Sequence, residues 1–184
     1  MKKVLCICFL IFLIPITTFA HPGKDAYQSL KIIQMEIDAG VNFRTYRDRI
    51  VDAKAEVDLF IKSAEAKKNK NLARNFINIL TAYESARDIW RMKFERFDNE
   101  GEVFHVNLEF FLLEIEYEKY STLYPIFKNP ELAKEEECRK EQKDKRFSCL
   151  FRDMAIQILW SVASKDLENP YKYLESKYRS TIFI

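Results

Sequence analysis

The chain has 184 residues, enough to bury a substantial core, with 30 Lys and Arg against 28 Asp and Glu. Lys2 and Lys3 belong to a removable leader described below, so the rest of the chain carries 28 basic residues (30 minus 2) and 28 acidic ones. Because a nucleic-acid-binding surface needs an excess of basic side chains, this even balance argues against a nucleic-acid partner.

The first twenty residues have the three parts of a secretion signal. Residues 1–3 are a short basic start, residues 4–14 are an unbroken apolar run, and Pro15 ends that run. Thr18, Phe19 and Ala20 then offer small residues where a signal peptidase requires them. The sequence therefore predicts a signal peptide at residues 1–20, cleaved after Ala20.

An uncleaved membrane anchor is the alternative reading of this leader. Residues 4–20 number 17, the short limit for a membrane span, and Pro15 interrupts them. We therefore favour cleavage, a mature domain at residues 21–184 with no stable membrane span, and a periplasmic or extracellular location.

Two helices joined by a tight turn open the mature chain. The apolar period predicts helix one at residues 25–39 and helix two at residues 43–67. Gly40 suits the position just past a helix end, and Asn42 suits the N-cap of the next helix. Val41 and Tyr46 flank that cap at the spacing of a hydrophobic staple, so we expect them to pack together.

The next two predicted helices carry the densest apolar patterns. Helix three is predicted at residues 72–97, with Trp90 on its apolar stripe as a core anchor. Residues 103–124 carry two apolar sets on opposite sides of one helix, which indicates a central helix covered from both sides.

The last third of the chain alternates between charged and apolar composition. Asn129 and Pro130 are a strong helix start, but residues 131–146 have almost no apolar partner and predict a solvated helix or an extended loop. Residues 147–165 predict an apolar helix. The pair Asn169–Pro170 is then expected to cap a separate last helix at residues 171–178.

No segment alternates apolar and polar residues in the way of a half-buried strand. The predicted fold class is therefore all-α. The architecture that follows is a single domain built as one antiparallel helical bundle of four long helices plus short additional helices, preceded by the signal peptide.

Several of these segments resemble a small family of exported bacterial all-helical proteins. The matching residues are Gly40, Val41, Asn42, Phe43, Tyr46, Asp52, Ala53, Lys54, Glu56, Val57, Asp58, Ala66, Lys67, Lys68, Asn69, Ala82, Tyr83, Trp90, Trp160, Ala163 and Ser164. The resemblance covers helices one to three and the Trp160 region, and is weak over residues 100–147. It implies export and a helical fold, and it supplies no catalytic residue.

Cys138 and Cys149 are the two cysteines left after signal cleavage. An even number of cysteines in an exported protein favours a disulfide between them. Along one unbroken helix they would lie about 16 Å apart, far beyond the reach of a bridge, so a disulfide requires the chain to turn between them. One long helix with two free thiols is the alternative.

Residues with catalytic or metal-binding potential are few. Glu102 and His105 have the Glu-x-x-His spacing of di-iron bundles, but that pattern needs a second copy, and His21 is the only other histidine. The chain has no Cys-x-x-Cys-His motif, no Gly-rich phosphate loop and no nucleophile elbow. We therefore predict a protein that is not an enzyme and carries no metal or cofactor.

These observations favour a protein that binds a partner protein or serves the cell envelope. The alternative is a carrier of a small apolar molecule in the bundle core. The residues expected to line such a cavity are Trp90, Phe94, Phe110 and Leu113.

Overall fold

The computed structural model describes residues 21–95, 114–129 and 152–178. Every regular element within these ranges is a helix, which confirms the all-α class for this part of the chain. The elements are α1 (Pro22–Asp38), α2 (Phe43–Lys62), α3 (Ala64–Lys68), α4 (Lys70–Glu95), α5 (Glu114–Leu123), a 3-10 turn (Pro125–Lys128) and α6 (Arg152–Tyr178).

The turn between α1 and α2 has the predicted cap chemistry. Gly40 adopts a φ of 84°, a left-handed conformation that costs glycine little. The side chain of Asn42 accepts a hydrogen bond from the backbone N–H of Thr45 at 3.0 Å. Tyr46 is buried and Val41 packs against the core, whereas the staple contact between the two stays a prediction. These contacts fix the angle at which the two helices leave the turn.

The predicted helix at residues 43–67 is divided in two at Ser63. Ser63 has an extended backbone, with φ −71° and ψ 161°, and its hydroxyl accepts a hydrogen bond from the N–H of Ala66 at 3.2 Å. Asn69 likewise accepts from the N–H of Leu72 at 3.0 Å, just before α4 begins. Both residues cap a new helix because their side chains replace the backbone acceptors that a continuing helix would supply.

Four helices surround the core. α1 contacts α2, α2 contacts α4, α4 contacts α6, and α6 contacts α1. The predicted apolar stripes of helices two and three supply much of this core. Their fully or almost fully buried members are Tyr46, Ile50, Ala53, Val57, Phe60, Phe76, Ile79, Tyr83 and Ala86.

The prediction that Asn169–Pro170 starts a separate helix is wrong. Pro170 is buried inside α6, which runs without a break to Tyr178. Leu167 and Leu174 lie two turns apart and are both buried, so ending the helix between them would turn one of them away from the core. Burying each leucine is worth about 1.5–3 kcal/mol, which offsets the cost of about 3 kcal/mol for an internal proline.

The predicted central helix is only partly described, since residues 103–113 lie outside the described ranges. Its described end, in α5, is covered on one side: Tyr120 and Ser121 are buried, whereas Lys119 and Leu123 are exposed. The second apolar set ends at Ile115, before the described side chains begin. The expected covering from both sides therefore lies outside the described part of the chain.

The predicted elements between residues 130 and 151 lie outside the described part of the chain. Within that part, no helix combines the length and the apolar composition needed to cross a membrane.

Candidate functional site

Trp90 is the one predicted cavity-lining residue whose side chain the structure describes; the side chain of Phe94 and residues Phe110 and Leu113 lie outside that part. The ring of Trp90 lies 5.5 Å from that of Phe43, 5.6 Å from that of Tyr46 and 5.6 Å from that of Trp160, between centroids. We call these four residues the aromatic cluster.

The polar atoms next to this cluster are joined in hydrogen bonds between helices. The Tyr46 hydroxyl accepts from the indole N–H of Trp160 at 2.9 Å and donates to the backbone carbonyl of Tyr83 at 3.0 Å. The Tyr83 hydroxyl in turn donates to the side-chain carbonyl of Gln34 at 3.2 Å. These bonds tie α1, α2, α4 and α6 together.

Both buried tyrosines are held in their neutral form. Burial raises the pKa of Tyr46 well above its ordinary value of 10.0, and the hydrogen bond from Trp160 offsets only part of that rise. Burial raises the pKa of Tyr83 in the same way. Neither hydroxyl can therefore act as a base near neutral pH, and the arrangement serves the fold.

The residues considered for metal or disulfide chemistry are mostly outside the described ranges, as Cys138, Cys149, Glu102 and His105 all are. His21, which is described, packs its ring 4.9 Å from that of Tyr178, between centroids. Among the described residues, no three His, Cys, Asp or Glu side chains are grouped so that they could hold a metal ion.

Glu65 connects α3 to the end of α6. Its carboxylate accepts hydrogen bonds from Lys177 and, at 3.3 Å, from the hydroxyl of Tyr178. Burial alone would lower the pKa of Lys177, but the hydrogen bonds with Glu65 and Tyr178 raise it overall. The ion pair between Lys177 and Glu65 holds α3 against the end of α6.

A groove lies between α4, the end of α5 with its 3-10 turn, and α6. Its volume is about 400 Å³, and it is open to solvent along one side. The side chains of Leu123 and Ile126 are 53% and 47% exposed at its wall. The groove is lined by Asn78, Thr81, Leu123, Tyr124, Pro125, Ile126, Val162 and Asp166.

The polar side chains of the groove differ in their hydrogen-bond partners. The Thr81 hydroxyl donates to the carbonyl of Ile77 at 2.7 Å, and the hydroxyls of Tyr124 and Ser85 lie 3.2 Å apart in a hydrogen bond. Asp166 is partly buried and makes no hydrogen bond or ion pair with the described residues. Among the described residues, the groove therefore combines an apolar wall with one carboxylate that no cation pairs with.

Sequence reasoning did not identify this groove. The apolar pair Leu123 and Ile126 flanks Pro125, at the place where the helical pattern stops, and that was the available signal. Nothing in the sequence brings Asp166 to the same place, because the approach of α6 to this turn is a tertiary contact.

Comparisons of the chain with protein-family models, with curated proteins and with solved structures found no match.

Proposed function

We propose that the protein is an exported, non-enzymatic helical bundle that binds a partner protein through the groove. The observation that supports this most directly is the half exposure of Leu123 and Ile126 at a concave surface. Large apolar side chains grouped at a concavity are typical of interaction sites, because their burial by a partner is favourable.

The open side of the groove favours a protein segment over a small molecule. Small-molecule sites bury about 70–90% of a drug-sized ligand, which needs walls on nearly all sides. A protein segment needs only a place for two or three anchoring side chains, with the remainder of its surface lying outside. A carrier of a small apolar molecule in the bundle core, lined by Trp90, Phe94, Phe110 and Leu113, is the alternative function.

Three further features belong to this proposal. The four long helices are antiparallel to their neighbours, which the four-residue turn between α1 and α2 supports. Residues 1–20 are removed after export, and Cys138 forms a disulfide with Cys149. Mass spectrometry of the exported chain tests the last two together: we expect a mature chain of 164 residues (184 minus 20) that starts at His21 and is two hydrogens lighter than its reduced form.

Photo-crosslinking from inside the groove tests the docking function. A photoreactive amino acid replaces Ile126 in one variant and Leu59 in a control variant, each expressed in the native envelope. Leu59 is 59% exposed on α2, which does not line the groove. We expect one discrete protein adduct from position 126 that is lost when Leu123→Asp is added, and no such adduct from position 59.

Two results would contradict the docking function. One is an identical set of adducts from both positions, which would mean random collision with envelope proteins. The other is the absence of any protein adduct from position 126 while an extractable small molecule is labelled there, which would favour the carrier.

A further inference from the structure

We propose that the partner segment bound in the groove presents a Lys or Arg to Asp166, next to apolar side chains that contact Leu123 and Ile126. This inference rests on the docking function proposed above and specifies the chemistry of the partner.

The charge of the groove is the first argument. Asp166 is the one acidic or basic residue among the eight that line it, since the other ionisable residue, Tyr124, carries a neutral phenol. On the facing helix α4, the partly buried Glu84 and Asp88 each pair with a cation at 2.8 Å, Lys54 and Arg87 respectively. Asp166 has no such cation among the described residues. A basic side chain from a partner would therefore form with Asp166 the same kind of ion pair that Glu84 and Asp88 form within the chain.

The backbone at Asp166 provides the second argument. Pro170 lies four residues further along α6 and has no N–H, so the main-chain carbonyl of Asp166 lacks the helical donor it would otherwise have. Asp166 thus combines a carboxylate that has no partner among the described residues with an under-satisfied carbonyl. Lys and Arg side chains carry three and five donors respectively and no acceptor, which suits a residue that offers only acceptors.

Desolvation of the Asp166 carboxylate provides the third argument, because it disfavours partner segments that carry no cation. A segment that covered Leu123 and Ile126 without a cation would bury the Asp166 carboxylate unpaired, which is costly. An acidic segment would add repulsion to that cost. The groove therefore discriminates by penalising neutral and acidic segments as well as by attracting a basic one.

The neighbouring surface does not alter this preference. A shallow depression shares Leu123 with the groove and is also lined by Glu118 and Lys119. These two side chains carry opposite charges and sum to zero. The Lys119 ammonium lies 4.9 Å from the centre of the Tyr120 ring, in a cation–π contact. The net negative charge at the groove therefore comes from Asp166.

Selection from a random library of twelve-residue peptides tests the inference on the mature full chain. The baits are the unmodified protein, Asp166→Lys and Leu123→Asp. The matched controls are Glu168→Lys, which changes a nearby exposed carboxylate of α6, and Leu59→Asp. We expect the unmodified protein and both controls to enrich peptides that pair Lys or Arg with apolar residues. We expect Asp166→Lys to enrich acidic peptides instead and Leu123→Asp to enrich none.

The affinity of one enriched peptide gives a second, quantitative measurement. Asp166→Asn should weaken its binding roughly tenfold or more, whereas Glu168→Gln should leave the affinity unchanged. Circular dichroism of each variant checks that the helices are intact.

The possible failures are distinguishable. Peptides that require Leu123 but show no enrichment in basic residues would overturn the charge preference and leave the docking function standing. Peptides that bind equally well to Leu123→Asp, or a failure to enrich any peptide with the unmodified protein, would overturn the docking function and this inference with it.

Discussion

The aromatic cluster and the groove share the helices α4 and α6 and yet differ in almost every physical respect. α4 and α6 contribute Trp90 and Trp160 to the cluster, and they also contribute Asn78, Thr81, Val162 and Asp166 to the groove. In the cluster, rings lie 5.5–5.6 Å apart and the Tyr46 hydroxyl makes two hydrogen bonds. In the groove, two large apolar side chains are half exposed, and a carboxylate has no partner among the described residues.

This difference separates the contacts that stabilise the fold from the surface that remains available to a partner. Close packing and satisfied hydrogen bonds contribute to the free energy of unfolding, because each would be lost when the chain unfolds. Half-exposed apolar surface contributes little to folding, since much of it stays in water, and its burial is still available to a partner. The variants below test whether the two regions divide in this way.

The largest effect is expected from Tyr46→Ala, which removes a ring at the centre of the cluster. Tyr46 is 1% exposed, so its loss leaves a cavity, and we expect the free energy of unfolding to fall by about 3–5 kcal/mol. Urea unfolding followed by the fluorescence of Trp90 and Trp160 measures this. Tyr171→Ala is the control, because Tyr171 is 39% exposed, and it should cost about 1 kcal/mol or less. Equal costs would show that the cluster is not a special part of the core.

A smaller loss is expected from Tyr46→Phe, which keeps the ring and removes only the hydroxyl. The indole N–H of Trp160 and the carbonyl of Tyr83 then lose their partner in a buried place, at a cost of about 1–3 kcal/mol. The same urea titration measures it, with Tyr171→Phe as the exposed control. A change within about 0.5 kcal/mol would mean that water replaces the hydroxyl, and that the cluster is more accessible than its packing indicates.

Alkaline pH should lower the stability of the folded chain through its buried tyrosines, Tyr46 and Tyr83 at the core and Tyr124 at the groove. Burial raises the pKa of both Tyr46 and Tyr83 above the ordinary value, so above about pH 10 the unfolded chain loses protons that the folded chain keeps. The stability contributed by the neutral hydroxyls is complete below the unfolded pKa and falls as the pH rises above it. Each tyrosine contributes up to about 1.4 kcal/mol per pH unit.

Urea titrations at several pH values between 8 and 11 measure this slope. It should be shallower in Tyr46→Phe and in Tyr83→Phe. Lys177 contributes a loss of the same sign, because its pKa is also raised, and Lys177→Gln therefore serves to separate that contribution. A slope that neither phenylalanine variant changes would place the titrating groups elsewhere.

The sequence predicted local features of the fold well because they depend on neighbouring residues. Gly40, Asn42 and the apolar stripes each act through contacts within a few positions, and the structure confirms them. Pro170 was misread because its local preference for a helix start was outweighed by tertiary burial of the leucines on either side. Asp166 was missed for a related reason: its lack of a partner depends on which turn faces it, and hydrophobic periodicity carries no information about that.

The smallest effect on the free energy of unfolding is expected from variants in the groove. These variants give the sharpest contrast with the aromatic cluster. Leu123→Ser and Ile126→Ser each remove an apolar side chain that is about half in water already, so we expect the free energy of unfolding to change by no more than about 0.5 kcal/mol. Leu80→Ser, at a site only 7% exposed on α4, is the buried control and should cost about 2–5 kcal/mol.

The yield of adduct in the photo-crosslinking experiment should rank these variants the other way, with Leu123→Ser having the larger effect and Leu80→Ser the smaller. Leu123→Ser should reduce it because the side chain touches the partner, and any effect of Leu80→Ser on it should disappear when the variant is assayed well below its melting temperature. If Leu123→Ser instead costs more than about 2 kcal/mol, Leu123 is part of the core in solution. The division between a region that stabilises the fold and a region reserved for binding would then fail at the residue on which the docking function most depends.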